Sequence, residues 1–250
     1  MLLESLYDLV VPVSCLACGE PGAALCSECR VAPRPRVVSM HPRTVAAVDY
    51  DGAIRDVVLA YKERGRRDLA RLLGGYLTSS VAEAVNAEIS SDRSGSQLDG
   101  VVLVPVPSSR RARRERGADH LRAPTRIAAR AQRLAVAQPL SLRREIRDSA
   151  GLGAAARCDN IAEAMASAPP PRPLRRALLV DDIVTTGATL REAERALVAA
   201  GWVVVGAATI ACTQRRGASR GGAVTGLVTG QIPSRLLWHA PPGRSSVGTT

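Results

Sequence analysis

Phenylalanine is absent from this sequence, and aromatic residues of all kinds make up 2% of it. Two tryptophans and four tyrosines are all that could stack on a base, and stacking usually carries the affinity for single-stranded nucleic acid. Lysine occurs once, at Lys62, and every other lysine-or-arginine position is arginine. Codon bias in a GC-rich genome accounts for that choice, though not for the net charge. No run reaches the ~18 apolar residues that a membrane-spanning helix needs. The first residues carry Glu4 and Asp8 and have no basic leader, which is not the pattern of a secretory signal. The expectation is a soluble cytoplasmic protein with no membrane span.

What the chain does have is positive charge and a large apolar fraction. The formal net charge is +11, and 46% of the residues are hydrophobic, ample for a buried core. Charge of that size fits anionic partners such as phosphates or nucleic acid, and it also serves solubility. A length of 250 residues suits one large domain, or a medium domain with a small accessory module.

The second reading suits the order of segments. Residues 1–13 place Leu2, Leu3, Leu6, Leu9 and Val10 at helical spacing. Residues 14–30 hold four cysteines, and residues 31–43 are rich in proline and arginine, as a linker is. Residues 1–43 are therefore expected to form an N-terminal helix, a ribbon and a linker. Residues 44–216 read as the main domain. Apolar runs at 45–50, 101–107, 177–180 and 203–210 read as strands. Helical stretches fall at 54–89, with a break near Gly65 and a weak point at Gly74-Gly75, and at 109–135, 151–166 and 188–200. Alternation of strand and helix implies a parallel sheet covered on both faces. Residues 217–250, rich in Gly, Ser, Thr and Pro, read as a loose tail anchored at Leu236-Leu237-Trp238.

Cys15-Leu16-Ala17-Cys18 and Cys26-Ser27-Glu28-Cys29 form two Cys-x2-Cys knuckles, with turn formers Gly19 and Pro21-Gly22 between them. Two such knuckles supply the four thiolates of a tetrahedral Zn²⁺ site with no open position, hence a structural one. So small a module has little core and would depend on the metal to fold. Cys158 and Cys212 stand alone and read as buried structural cysteines.

The most informative segment is Ala177-Leu178-Leu179-Val180-Asp181-Asp182-Ile183-Val184-Thr185-Thr186-Gly187-Ala188-Thr189. A buried strand delivers Asp181 and Asp182 to the carboxyl end of the sheet, where open α/β folds bind ligands. The loop after it offers hydroxyls at Thr185, Thr186 and Thr189. Gly187 lets the backbone approach a ligand closely. A helix opens at Ala188, and its free N–H groups favour a phosphate. Carboxylates repel a bare phosphate but suit vicinal hydroxyls and Mg²⁺, so a sugar 5-phosphate with free 2- and 3-hydroxyls satisfies both halves.

This order resembles the PRPP-binding motif of type I phosphoribosyltransferases, and with the cysteine knuckles it is similar to the ComF family over roughly residues 10–215. Tyr61-Lys62-Glu63-Arg64-Gly65 resembles another motif of that family. So do Val104-Pro105-Val106-Pro107 with Arg113-Arg114-Glu115-Arg116-Gly117, and Leu152 with Arg157 and Asn160. The sequence departs from the pattern at Ala118, Asp119 and His120, where the family has an aromatic and an Asn-Gln pair. It departs again at Ser149, where the family has Gln. The resemblance implies a type I phosphoribosyltransferase-like α/β fold, with a parallel sheet flanked by helices behind a small N-terminal zinc ribbon.

It further implies that Asp181 and Asp182 hold the ribose hydroxyls of PRPP and that Thr185, Thr186, Gly187, Ala188 and Thr189 hold its 5-phosphate. Mg²⁺ would accompany the PRPP, with Lys62 and the Arg113, Arg114 and Arg116 run on the pyrophosphate side. Lys62 also reads as a surface lysine on an amphipathic helix, and His120 as a surface histidine.

Two functions are compatible with these residues. One is an enzyme that transfers a phosphoribosyl group from PRPP to an acceptor the sequence does not name, with catalysis resting on Asp181, Asp182 and Lys62. The other is a protein that handles single-stranded DNA, since ComF relatives are linked to DNA uptake in natural transformation. Its basic run would then meet a nucleic-acid backbone.

Overall fold

The protein is described from a computed structural model, which defines residues 13–91, 101–108, 119–144, 161–171 and 176–213. Met1–Gln214 form one compact unit, and Arg215–Thr250 are assigned to a second that lies outside the described residues. The expectations for residues 1–12, for Arg113, Arg114 and Arg116, for Leu152, Arg157, Cys158 and Asn160, and for the tail also fall outside them.

In chain order the elements are β1 (Arg36–Val38), β2 (Thr44–Asp49), α1 (Gly52–Glu63), a 3-10 turn (Arg67–Leu69) and α2 (Ala70–Ser91). They continue with β3 (Val101–Pro105), α3 (Arg122–Gln132), β4 (Ala135–Val136), β5 (Leu140–Leu142), β6 (Met165–Ser167), β7 (Arg176–Val184), α4 (Ala188–Ala199) and β8 (Val203–Cys212). Six strands form one sheet in the order β1-β2-β8-β7-β3-β4, and β5 and β6 form a separate antiparallel pair. Every pairing from β2 to β4 is parallel, and only the edge strand β1 runs the other way. This is a mixed α/β fold with a mostly parallel central sheet flanked by helices.

The valine-rich runs are continuous because both sheet faces are buried. Successive residues of one strand point to opposite sides. Leu178 and Val180 of β7 join Ile54, Leu73, Leu77, Leu121 and Ala128, from α1, α2 and the start of α3. Ala177 and Leu179 join Leu190, Ala193 and Leu197 of α4 on the other side. The break near Gly65 is present, separating α1 from the 3-10 turn. Gly74-Gly75 does not interrupt α2, because Gly74 is a contact point. A Cβ there would lie 2.8 Å from the Ile127 side chain, so only glycine lets α2 and α3 approach this closely.

Several segments differ from the sequence expectation: the helix expected to reach residue 135 ends at Gln132 and gives way to β4, and β5 forms where no element was expected. The linker contains β1, which pairs Arg36 with Ala46 and Val38 with Thr44. The helix expected to reach residue 166 gives way to strand β6. Hydrogen bonds outweigh helix propensity there: Met165 N–H donates to Glu192 Oε1 at 2.9 Å, and Arg195 donates to Met165 O at 3.0 Å. Strand β7 runs four residues past Val180, so the acidic pair is part of the strand and not a loop beyond it.

The cysteine module packs on the α/β body. Cys15 and Leu25 are buried in the same apolar cluster as Ile54, Tyr61 and Tyr76. The Tyr76 hydroxyl donates to Val31 O at 2.8 Å. No helix among the described residues is long and apolar enough to cross a membrane.

Candidate functional site

The site is assembled where β7 ends. Because β7 lies between β8 and β3, its carboxyl end is central in the sheet. Successive residues there face opposite ways, and the adjacent acids acquire different surroundings. Asp182 is 6% exposed. Its Oδ1 accepts the Ile183 N–H at 2.7 Å. Its Oδ2 lies 2.7 Å from Lys62 Nζ, at the last turn of α1, and 2.6 Å from His120 Nε2, just before α3. Burial opposes ionisation of Asp182, but Lys62 and His120 outweigh it and hold the carboxyl well below the usual range.

Asp181 lacks such company. Its Oδ1 accepts the Asp182 N–H at 2.9 Å. Burial, and then the negative charge of Asp182, push its pKa up to about 7. The pair thus consists of one firmly ionised carboxylate and one that takes up a proton near neutrality. A cation or a set of hydroxyl donors arriving at Asp181 would favour its charged form.

Lys62 and Asp182, both singled out in the sequence, therefore meet. His120 meets them too, so the expectation of a surface histidine does not hold. Its side chain is 12% exposed. Its Nδ1 lies 3.0 Å from Ser108 Oγ, which lies 3.2 Å from Asp119 Oδ1. With protons on both ring nitrogens, Nε2 donates to Asp182, Nδ1 donates to Ser108 and the Ser108 hydroxyl donates to Asp119. Every contact in the chain is then satisfied. A signal for Ser108 alone was present: it follows the carboxyl end of β3, the strand beside β7, and ligand groups gather at such ends. Tyr50, half-buried after β2, completes the surroundings; burial raises its pKa, and Lys62 beside it acts the other way.

The loop after the acids has the form of an anion cradle. Gly187 caps α4 with φ +75°, a left-handed conformation that disfavours any residue with a Cβ. A Cβ there would also lie 3.1 Å from Met40 Sδ and 3.2 Å from Arg191 Nη1. Thr185 is exposed, Thr186 and Thr189 are half-buried, and Gly187 and Ala188 are buried. Arg191 donates to Thr186 O at 3.0 Å and fixes the turn. The Ala188 N–H reaches Thr186 Oγ1 at 3.4 Å.

The four N-terminal cysteines form a second site. Their sulfur atoms all lie within 4.8 Å of one another, and Cys18 Sγ is 3.7 Å from Cys26 Sγ. A tetrahedral zinc with Zn–S bonds near 2.3 Å sets its sulfurs about 3.8 Å apart, so the quartet fits the metal. The Gly19 N–H donates to Cys15 O at 2.9 Å and the Arg30 N–H to Cys26 O at 3.0 Å, closing each knuckle as a tight turn. Backbone N–H groups of Cys26 and Cys18 lower the Cys15 thiol to about 6, whereas neighbouring thiols Cys18 and Cys26 push Cys29 up to about 12. Four thiolates cannot share this space without a cation between them. Cys212, the remaining described cysteine, is 2% exposed and lies 3.0 Å from an Arg36 guanidinium nitrogen.

No family model matches the chain, and no curated protein matches it.

Proposed function

We propose that this protein binds PRPP in the manner of a type I phosphoribosyltransferase of the ComF kind and transfers its phosphoribosyl group to an acceptor, with Mg²⁺ on the pyrophosphate. The observation that carries this reading is the adjacency of Asp181 and Asp182, at the buried carboxyl end of β7, to a helix capped by left-handed Gly187. A carboxylate pair and an anion cradle five residues apart match the two ends of one ligand, vicinal hydroxyls and a phosphate.

In this reading Asp181 and Asp182 accept the ribose hydroxyls. The Thr185–Thr189 turn and the first N–H groups of α4 hold the 5-phosphate. Lys62 lies beside the anomeric side of the site, where the bond to pyrophosphate breaks as the bond to the nucleophile forms. Positive charge developing on the sugar in that step is stabilised by the ionised Asp182. His120 acts as a positioning residue, since it holds Asp182 through Nε2. Bound Mg²⁺ would neutralise the departing pyrophosphate.

The test is calorimetric titration with PRPP, with and without Mg²⁺. The wild type should bind, and more tightly with the metal. Asp181→Asn with Asp182→Asn should weaken binding by about 2–5 kcal/mol, the loss of two or so hydrogen bonds to charged groups. Equal affinity in the double variant would remove the acids from the site. Absence of PRPP binding to the wild type would end the reading altogether.

A further inference from the structure

Away from the acidic pair, a groove of about 640 Å³ runs between α3 and the sheet edge. Arg122, Arg126, Arg130 and Arg133 form one side of it. All four are exposed, and none has an ion-pair partner among the described residues. The floor is apolar, made by Pro105, Ala129, Leu134 and Val136. Thr125 also lines it, 1% exposed, with a hydroxyl that has no hydrogen-bond partner. A buried hydroxyl without a partner is a cost that a ligand would remove.

The other side of the groove is the edge of the sheet as the described residues form it. Strand β4 ends the strand order, and among the described residues it pairs only with β3. Ala135 and Val136 are exposed on it. An open edge offers backbone N–H and C=O groups to an added strand.

We propose that this groove binds an extended acidic segment of a partner protein, which adds along the β4 edge and sets carboxylates at alternate positions against the α3 arginines. The spacings agree. Arg122, Arg126 and Arg130 recur every four residues, about 6 Å along a helix. Alternate side chains of an extended strand recur every ~6.6–6.8 Å. The methylene stems of the acidic side chains would lie over the apolar floor, and the residues between them would face the other side of the sheet. Arginine forks grip carboxylates in bidentate fashion. A phosphodiester chain would answer the arginines but leave the apolar floor uncovered, and among the described residues the groove has no aromatic side chain on which bases could stack.

The experiment uses the full chain and a fluorescent synthetic peptide with Asp or Glu at alternate positions and valine between them, followed by anisotropy. Binding should appear at low salt and weaken by ~tenfold or more in Arg126→Glu/Arg130→Glu. Both positions are exposed, so that variant should keep the wild-type melting temperature. With the wild-type protein, N-methylation of one alternating set of peptide amides should abolish binding, and methylation of the other set should be tolerated. Three results would each overturn the proposal. One is no peptide binding at low salt. Another is equal tolerance of both methylated peptides, which would mean attraction by charge alone. The third is a single-stranded DNA or RNA oligonucleotide that displaces the peptide at lower concentration and itself loses affinity in the double variant. That last outcome would assign the groove to a phosphate backbone.

Discussion

Lys62 Nζ and His120 Nε2 converge on one oxygen, Asp182 Oδ2, at 2.7 Å and 2.6 Å. One lysine in a chain otherwise furnished with arginine thus sits against the more buried of the two site acids. A compact ammonium fits beside an imidazole on a single carboxylate oxygen, where a planar guanidinium would need more room.

Lys62→Met should leave Asp182 with one cationic neighbour and destabilise the fold by about 1–3 kcal/mol. Combined with Asp182→Asn the loss should be smaller than the sum of the two single changes, by ~1 kcal/mol or more, because each single change strands the other group. Urea unfolding of the four proteins measures this coupling. Strict additivity would mean that the contact contributes nothing to stability.

Asp181 should make stability fall with rising pH. Unfolded, it loses its proton near ~4; folded, it keeps it to about 7. Between those values the folded state holds the extra proton, so the contribution of Asp181 declines across that window and stays low above it. Asp181→Asn should therefore stabilise the ligand-free protein at pH 8, by about 1–4 kcal/mol, and change little at pH 4. Thermal melts at both values decide it. A stabilisation as large at pH 4 as at pH 8 would contradict the shift.

Zinc removal should be felt beyond the ribbon. Purified protein should carry roughly one zinc per chain, and Cys18→Ser should lose it. Since Cys15 and Leu25 share an apolar cluster with Tyr61 and Tyr76, chelation should lower the main melting transition by roughly 5 °C or more. Calorimetry that shows a separate small transition and an unmoved main one would instead mean that the module melts alone.

Gly187→Val should fail twice. The φ of +75° disfavours a β-branched residue, and its Cβ would crowd Met40 and Arg191. The expected cost is about 1–3 kcal/mol of stability, together with loss of PRPP binding. Gly187→Ala carries the same backbone strain with less bulk and should fall between. If Gly187→Val keeps wild-type PRPP affinity, the phosphate loop is wrongly placed.

Much of this architecture was legible in residue order. Valine-rich runs without alternation announced strands buried on both faces, and the run from Val180 through Asp181 to Gly187 announced a strand, a turn and a helix. Cysteine spacing announced the quartet. These are local signals, in which a few neighbouring residues carry the whole physical argument.

Other features depended on residues far apart in the chain. His120 lies sixty-two residues before Asp182, and nothing near it in sequence distinguishes a site histidine from a surface one. Only the placement of β3 beside β7 brings Ser108, His120 and Asp182 into line. Strand β6 depends in the same way on a carboxylate from α4, Glu192, because hydrogen bonds from another element outweigh the helix propensity of Met165-Ala166-Ser167. Gly74 looked like a flaw in α2 and is a point where α2 and α3 pack closely. The sequence by itself determined which valine-rich segments form the central parallel strands and which cysteines can share a metal, because burial period and ligand spacing are written within a few residues. The tertiary structure alone decided which acid is ionised and which histidine belongs to the site, because charge and burial depend on neighbours that only folding supplies.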